Sequence, residues 1–178
     1  MSAMLAGSTV DLSGVLGTLR DRYAEVLFAH RRAATGDPVA LRAAGRTHHT
    51  QADRIDGAAT DLADRTLSDD WTGPAATAYR QWAGTLGRDL AGCSTVLRRQ
   101  SDVLSGAADA LESAASDIDR LRGEFDRQFA SLVASAGSVP VDQVGAVLTS
   151  ARSLGDAYLT AAGTVSTALG RALGALAA

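Results

Sequence analysis

The stretch Asp69-Asp70-Trp71-Thr72-Gly73-Pro74-Ala75-Ala76-Thr77-Ala78-Tyr79-Arg80-Gln81-Trp82 places turn chemistry directly before helix chemistry. Asp69 and Asp70 carry carboxylates suited to capping, or facing, a helix amino terminus. Gly73 admits backbone angles closed to other residues, and Pro74 fits the first position of a helix. Trp71 brings an indole large enough to bury between two helix ends. These residues predict a corner, Trp71, Gly73 and Pro74, joining two helices.

Both flanks carry apolar residues at alternating steps of three and four, the spacing of one stripe along an α-helix. Before the corner, Leu41, Gly45, His48, Ala52, Ile55, Ala59, Leu62 and Thr66 predict a helix over 38–66. Its seam is narrow and mostly small, so a partner helix should lie close. After the corner, Leu86, Leu90, Cys93, Leu97, Gln100, Leu104, Ala107, Leu111, Ala114, Ile118, Leu121 and Phe125 keep the same register. That predicts one helix over 74–134, of about 60 residues and roughly 90 Å at 1.5 Å per residue. Gly106 and Gly123 are the expected places for a bend or break. Leu97, Leu104, Leu111, Ile118 and Phe125 are the candidate core or interface seam. Tyr79 and Trp82, three residues apart on one face, are expected to pack into the hairpin end, and Cys93 to be a small buried hydrophobe.

Further out, Leu12, Leu16, Leu19, Tyr23 and Val26 mark a first helix over 10–34. Thr35-Gly36-Asp37-Pro38 ends it, with Gly suited to a carboxyl-terminal cap and Asp to an amino-terminal one. Val141 to Leu176 repeats the 3,4 spacing and predicts a fourth helix over 141–177, after a connection at Gly137–Pro140. The fold class is all-α: one domain over 1–178, an elongated bundle of about four helices around a long antiparallel hairpin. The second helix should cover the Trp82–Leu104 half of the third, the fourth should cover the rest, and the first should add beside the Trp corner.

Composition narrows the function. All 17 basic residues are arginine, with no lysine or asparagine, which points to a G+C-rich genome of the actinobacterial kind. A net charge of −3 with interspersed arginines offers no basic stripe for a phosphate backbone, so nucleic acid is not an expected partner. The single cysteine excludes an intrachain disulfide and a multi-cysteine metal site. Adjacent His48 and His49 point about 100° apart on a helix and do not form a metal pair. No nucleophile–base constellation or phosphate loop is present, so no enzyme activity, cofactor or metal is expected. The opening residues lack the basic and apolar regions of a Sec signal peptide. The apolar stretch Ala157–Ala178, interrupted by Arg171, reads poorly as a membrane span.

The corner and its surroundings resemble the WXG100 superfamily and its longer relatives among type VII secretion substrates. The resemblance covers about Gly36 to Phe125. It rests on GDPVALRAAG at the first hairpin helix, on Trp71-Thr72-Gly73-Pro74 at the turn, and on AATAYRQWAGTL, where Tyr79 and Trp82 match the usual aromatic positions. It implies a hairpin that pairs with another helical hairpin or with itself. It also implies contact with type VII machinery and export by a non-Sec route, to the outside or the cell envelope, after a cytoplasmic stage. The family's YxxxD/E signal is absent, because Tyr23, Tyr79 and Tyr158 are followed four residues on by Leu27, Ala83 and Ala162. Alternatives from the sequence are a delivery module for a toxin, and a membrane-active helical protein resting on the stripe from Val141 to Leu176.

Overall fold

A computed structural model describes residues 8–66 and 71–177. Among the described residues the chain is all-α apart from one tiny strand pair, and its helices form a bundle. Strand β1 (Thr9–Val10) precedes α1 (Ser13–Ala33), α2 (Pro38–Thr66) and α3 (Pro74–Ser135); β2 (Val139–Pro140) and a 3₁₀ turn (Val141–Gln143) then lead into α4 (Val144–Leu176). Helices α2, α3 and α4 are long, at 29, 62 and 33 residues, and α1 has 21.

The turns are set by local chemistry. Gly36 takes a φ of +34° after α1. The Asp37 carboxylate then caps α2 by accepting from the Ala40 amide at 2.8 Å, with Pro38 at the first helical position. Gly73 takes a φ of +104° immediately before Pro74 opens α3. The helix expected from residue 10 starts three residues later. Thr9 and Val10 instead pair antiparallel with Pro140 and Val139, and the Leu12 amide donates to the Ala136 carbonyl at 3.3 Å. The β-branched Thr9, Val10 and Val139 suit the extended backbone, and a pair this short accommodates proline's missing donor.

Of the bend or break expected at Gly106 and Gly123, the break does not occur: α3 is one continuous helix through both. At Gly106 a Cβ would lie 3.1 Å from Leu176 Cδ2, so close packing accounts for that glycine.

The packing falls into two compact units, a division that the stripe spacing does not announce. The first comprises residues up to Gly36 together with 110–175. Its core joins Leu12, just before α1, with Leu16 and Leu27 of α1, Leu121, Phe125 and Phe129 of α3, and Ala151 and Ala162 of α4. The Phe125 ring meets Phe129, Tyr158 and Tyr23 at centroid distances of 5.2, 5.7 and 6.3 Å. Gly155 lets the Tyr23 ring lie directly on the α4 backbone, where a Cβ would come within 2.3 Å of a ring carbon. His30 Nδ1 meets Ser166 Oγ at 2.8 Å, and Arg31 Nε donates to Asp119 Oδ2 at 2.9 Å.

Helix α1 therefore packs on the carboxyl-terminal part of α3 and on α4, not beside the Trp corner as the sequence suggested. Its leucines match the bulky Leu121–Phe129 segment, whereas the amino-terminal part of α3 buries mainly alanine and serine. Such small residues favour close approach of one helix over insertion of large side chains.

The second unit comprises residues 37–109 and the end of the chain from Leu176. Helices α2 and α3 run antiparallel within it. Arg42 Nη2 donates to Asp109 Oδ1 at 2.6 Å near the start of α2, and Arg98 pairs with Asp53 and Asp56 further along it. Gly45 brings α2 so near α3 that a Cβ there would lie 3.2 Å from the Ser101 carbonyl oxygen.

Candidate interaction site on the hairpin

The close contact between α2 and α3 is built from small side chains. Gly45 and Ala52 are buried on α2, and Ala83, Ser94, Ser101 and Ala108 on α3. Cys93 was expected within this seam; it is exposed, and its neighbour Ser94 is buried instead. The stripe of leucines lies to one side of the contact because the backbones approach where Gly45 permits it, which puts the smallest residues of α3 at the centre.

This displacement gives the hairpin two unlike flanks. Advancing 100° per residue from the buried positions puts Arg42, Asp53, Asp56, Arg98 and Asp109 on one flank. There Arg98 reaches Asp53 at 3.0 Å and also contacts Asp56. The Ser94 hydroxyl, followed by Arg98, holds the Asp56 carboxyl below the usual carboxylate range, and the same carboxylates raise the Arg98 guanidinium above its ordinary value. The opposite flank carries Ile55, Leu62, Leu86, Leu90, Leu97 and Leu104, all half-buried, and Val96, which is 56% exposed. A two-helix hairpin has no third layer, so an apolar flank of this kind stays partly wet unless another element covers it.

The five seam candidates separate accordingly. Leu111, Ile118 and Phe125 are buried in the first unit, whereas Leu97 and Leu104 remain partly open on the hairpin.

The corner differs from expectation as well. Asp69 and Asp70 lie outside the described residues. Trp71 is not buried between helix ends; it is 46% exposed, and Trp82 is 56% exposed rather than packed in the hairpin core. Tyr79 stands between them, 5.3 Å from the Trp71 ring and 5.7 Å from the Trp82 ring. The cause is again the small seam: Ala76 and Ala83 occupy the buried face here and leave no room for an indole. Arg80 Nη2 donates to the Trp71 carbonyl at 2.8 Å, and the Thr77 amide and hydroxyl both reach the Gly73 carbonyl. The corner thus presents two exposed indoles with the half-buried Tyr79 ring between them.

No described helix is long and apolar enough to cross a membrane. Comparison with family models, curated proteins and solved structures finds no match to this chain.

Proposed function

We propose that this chain is a type VII secretion-associated protein of the WXG100-like kind, an exported substrate or an escort that acts through helix–helix contacts. The observation that carries the proposal is the antiparallel α2/α3 hairpin, entered at Trp71-Thr72-Gly73-Pro74, with one apolar flank left partly open. An apolar helix flank of this kind is suited to a helical partner or a second copy. The exposed Trp71 and Trp82 rings, with Tyr79 between them, add a surface on which secretion machinery would find aromatic anchors. The missing YxxxD/E signal fits an escort, or a substrate whose signal is supplied by its partner.

Affinity capture from the native cell, comparing culture filtrate with cytosol, tests this role. Recovery in the filtrate, or together with a secretion component, is expected. Recovery from cytosol alone, without any such component, refutes it.

A further inference from the structure

In the first unit, a cleft of about 350 Å³ runs along the seam between α1 and α4, lined by Val15, Thr18, Leu19 and Arg22 from α1 and by Leu148 and Arg152 from α4. We infer that this cleft binds a single-chain anionic amphiphile: a carboxylate, held by Arg22 and Arg152, on an unbranched alkyl tail of about eight carbons. The inference concerns a different unit and a different chemistry from the hairpin, and it does not rest on the role proposed above.

The two arginines carry no counter-ion. Among the described residues neither guanidinium makes an ion pair, because the carboxylates nearest in sequence are engaged elsewhere or stand apart. Asp21 is taken by Arg20 at 2.7 Å. Asp156, one helical turn after Arg152, accepts instead from the Tyr23 hydroxyl at 2.8 Å. Glu25, one turn after Arg22, makes no bridge to it, and no carboxylate lines the cleft. The Thr18 hydroxyl is spent on the Gly14 carbonyl at 3.1 Å, so the guanidinium groups supply the free donors of the lining. Two cations on one cleft repel each other and favour an anion between them, and each planar fork can bond a carboxylate through two parallel N–H groups.

The rest of the lining specifies the tail. Helices α1 and α4 run alongside each other in the same sense, since Tyr23 lies on Gly155 and His30, further along, meets Ser166. Arg22 and Arg152 therefore close one end of the cleft, and Val15 and Leu148 line it toward the helix starts. Leu19 and Leu148 are half-buried, but Val15 is 56% exposed, so apolar surface is left wet away from the charges. From Val15 to Arg22 the helix rises about 10 Å, the length of an extended chain of about eight carbons. An inorganic anion would use the arginines alone, and an acidic peptide would leave Val15 wet.

Sodium octanoate, kept below its micelle concentration and titrated into the ¹⁵N-labelled full chain, tests the site. Saturable shifts are expected at the amides of Thr18, Leu19 and Leu148 and at the side-chain Nε of Arg22 and Arg152. Arg22→Gln combined with Arg152→Gln, both on exposed positions, should weaken binding at least tenfold while leaving the circular dichroism unchanged. Val15→Glu should weaken it severalfold. Octanol and butyrate, each lacking one half of the match, should bind at least tenfold more weakly than octanoate. Absence of saturable shifts at millimolar octanoate overturns the inference, as does octanol binding equal to that of octanoate, or unchanged affinity in the double arginine variant. Shifts produced by anionic phospholipid vesicles while octanoate is inert also overturn it, in favour of a membrane surface.

Discussion

Replacing Gly155 by alanine should destabilise the protein even though alanine is the better helix former. The added Cβ would sit 2.3, 2.4 and 2.5 Å from three atoms of the Tyr23 ring, whereas ordinary contact begins near 3.4 Å. The ring must retreat by about 1 Å. That movement strains its packing on Phe125, 6.3 Å away, and the bond from its hydroxyl to Asp156 Oδ1 at 2.8 Å. Overpacking of this kind costs about 1–3 kcal/mol, against a gain of up to about 1 kcal/mol from the better helix former. With that gain taken in full the net loss reaches about 2 kcal/mol, or a fall in Tm of up to roughly 8 °C for a chain of this size. Urea and thermal unfolding followed by circular dichroism measure it. Gly163→Ala is the control on the same helix: nothing lies within 4 Å of its Cβ position, so it should stabilise by about 0.5–1 kcal/mol. In a Tyr23→Ala background the cost of Gly155→Ala should disappear, while Tyr23→Phe, which keeps the ring, should retain it. If Gly155→Ala raises the Tm as Gly163→Ala does, the close approach of Tyr23 to α4 is wrong.

Gly73→Ala places a side chain at a φ of +104° and should cost about 1–3 kcal/mol in urea unfolding, with the aromatic row disturbed in near-ultraviolet circular dichroism. Asp37→Ala removes the carboxylate that accepts from the Ala40 amide and should cost about 1 kcal/mol; Asp37→Ser should recover most of it. Asp56 has a depressed folded pKa, so its contribution is present above the unfolded carboxylate value and is lost as pH falls through the folded one. The hairpin should therefore weaken below about pH 4, and Asp56→Asn should flatten that dependence when urea midpoints at pH 7 and pH 3 are compared.

The helices were legible because their evidence is periodic. The 3,4 spacing gave α2 as 38–66, and the ends of α3 came within a residue or two of Pro74 and Ser135. Asp37 and Gly73 were legible because capping and a positive φ each demand particular residue types. What escaped was the rotation of α3 about its axis. Large apolar residues dominate a periodicity count, yet the hairpin closes where the side chains are smallest, so Ser94 was missed and Cys93 was wrongly placed inside. The same bias put Trp71 and Trp82 in the interior. The docking position of α1 was illegible for another reason: its stripe says that it packs, but not on which stretch of α3. The strand pair was missed because two residues carry no detectable alternation.

The order in which the chain leaves the ribosome gives the placement of α1 a further consequence. This helix is made before α2, α3 and α4, but its contacts Leu121, Phe125, Phe129, Ala151 and Ala162 are made only after α2 and most of α3. The α2/α3 pair meanwhile closes between neighbours in sequence, a faster event than one requiring distant segments to meet. Leu16 and Leu27, fully covered at the end, thus wait uncovered while α2 and most of α3 are made. That nascent interval is when this protein is most exposed to sticking or to chaperone capture.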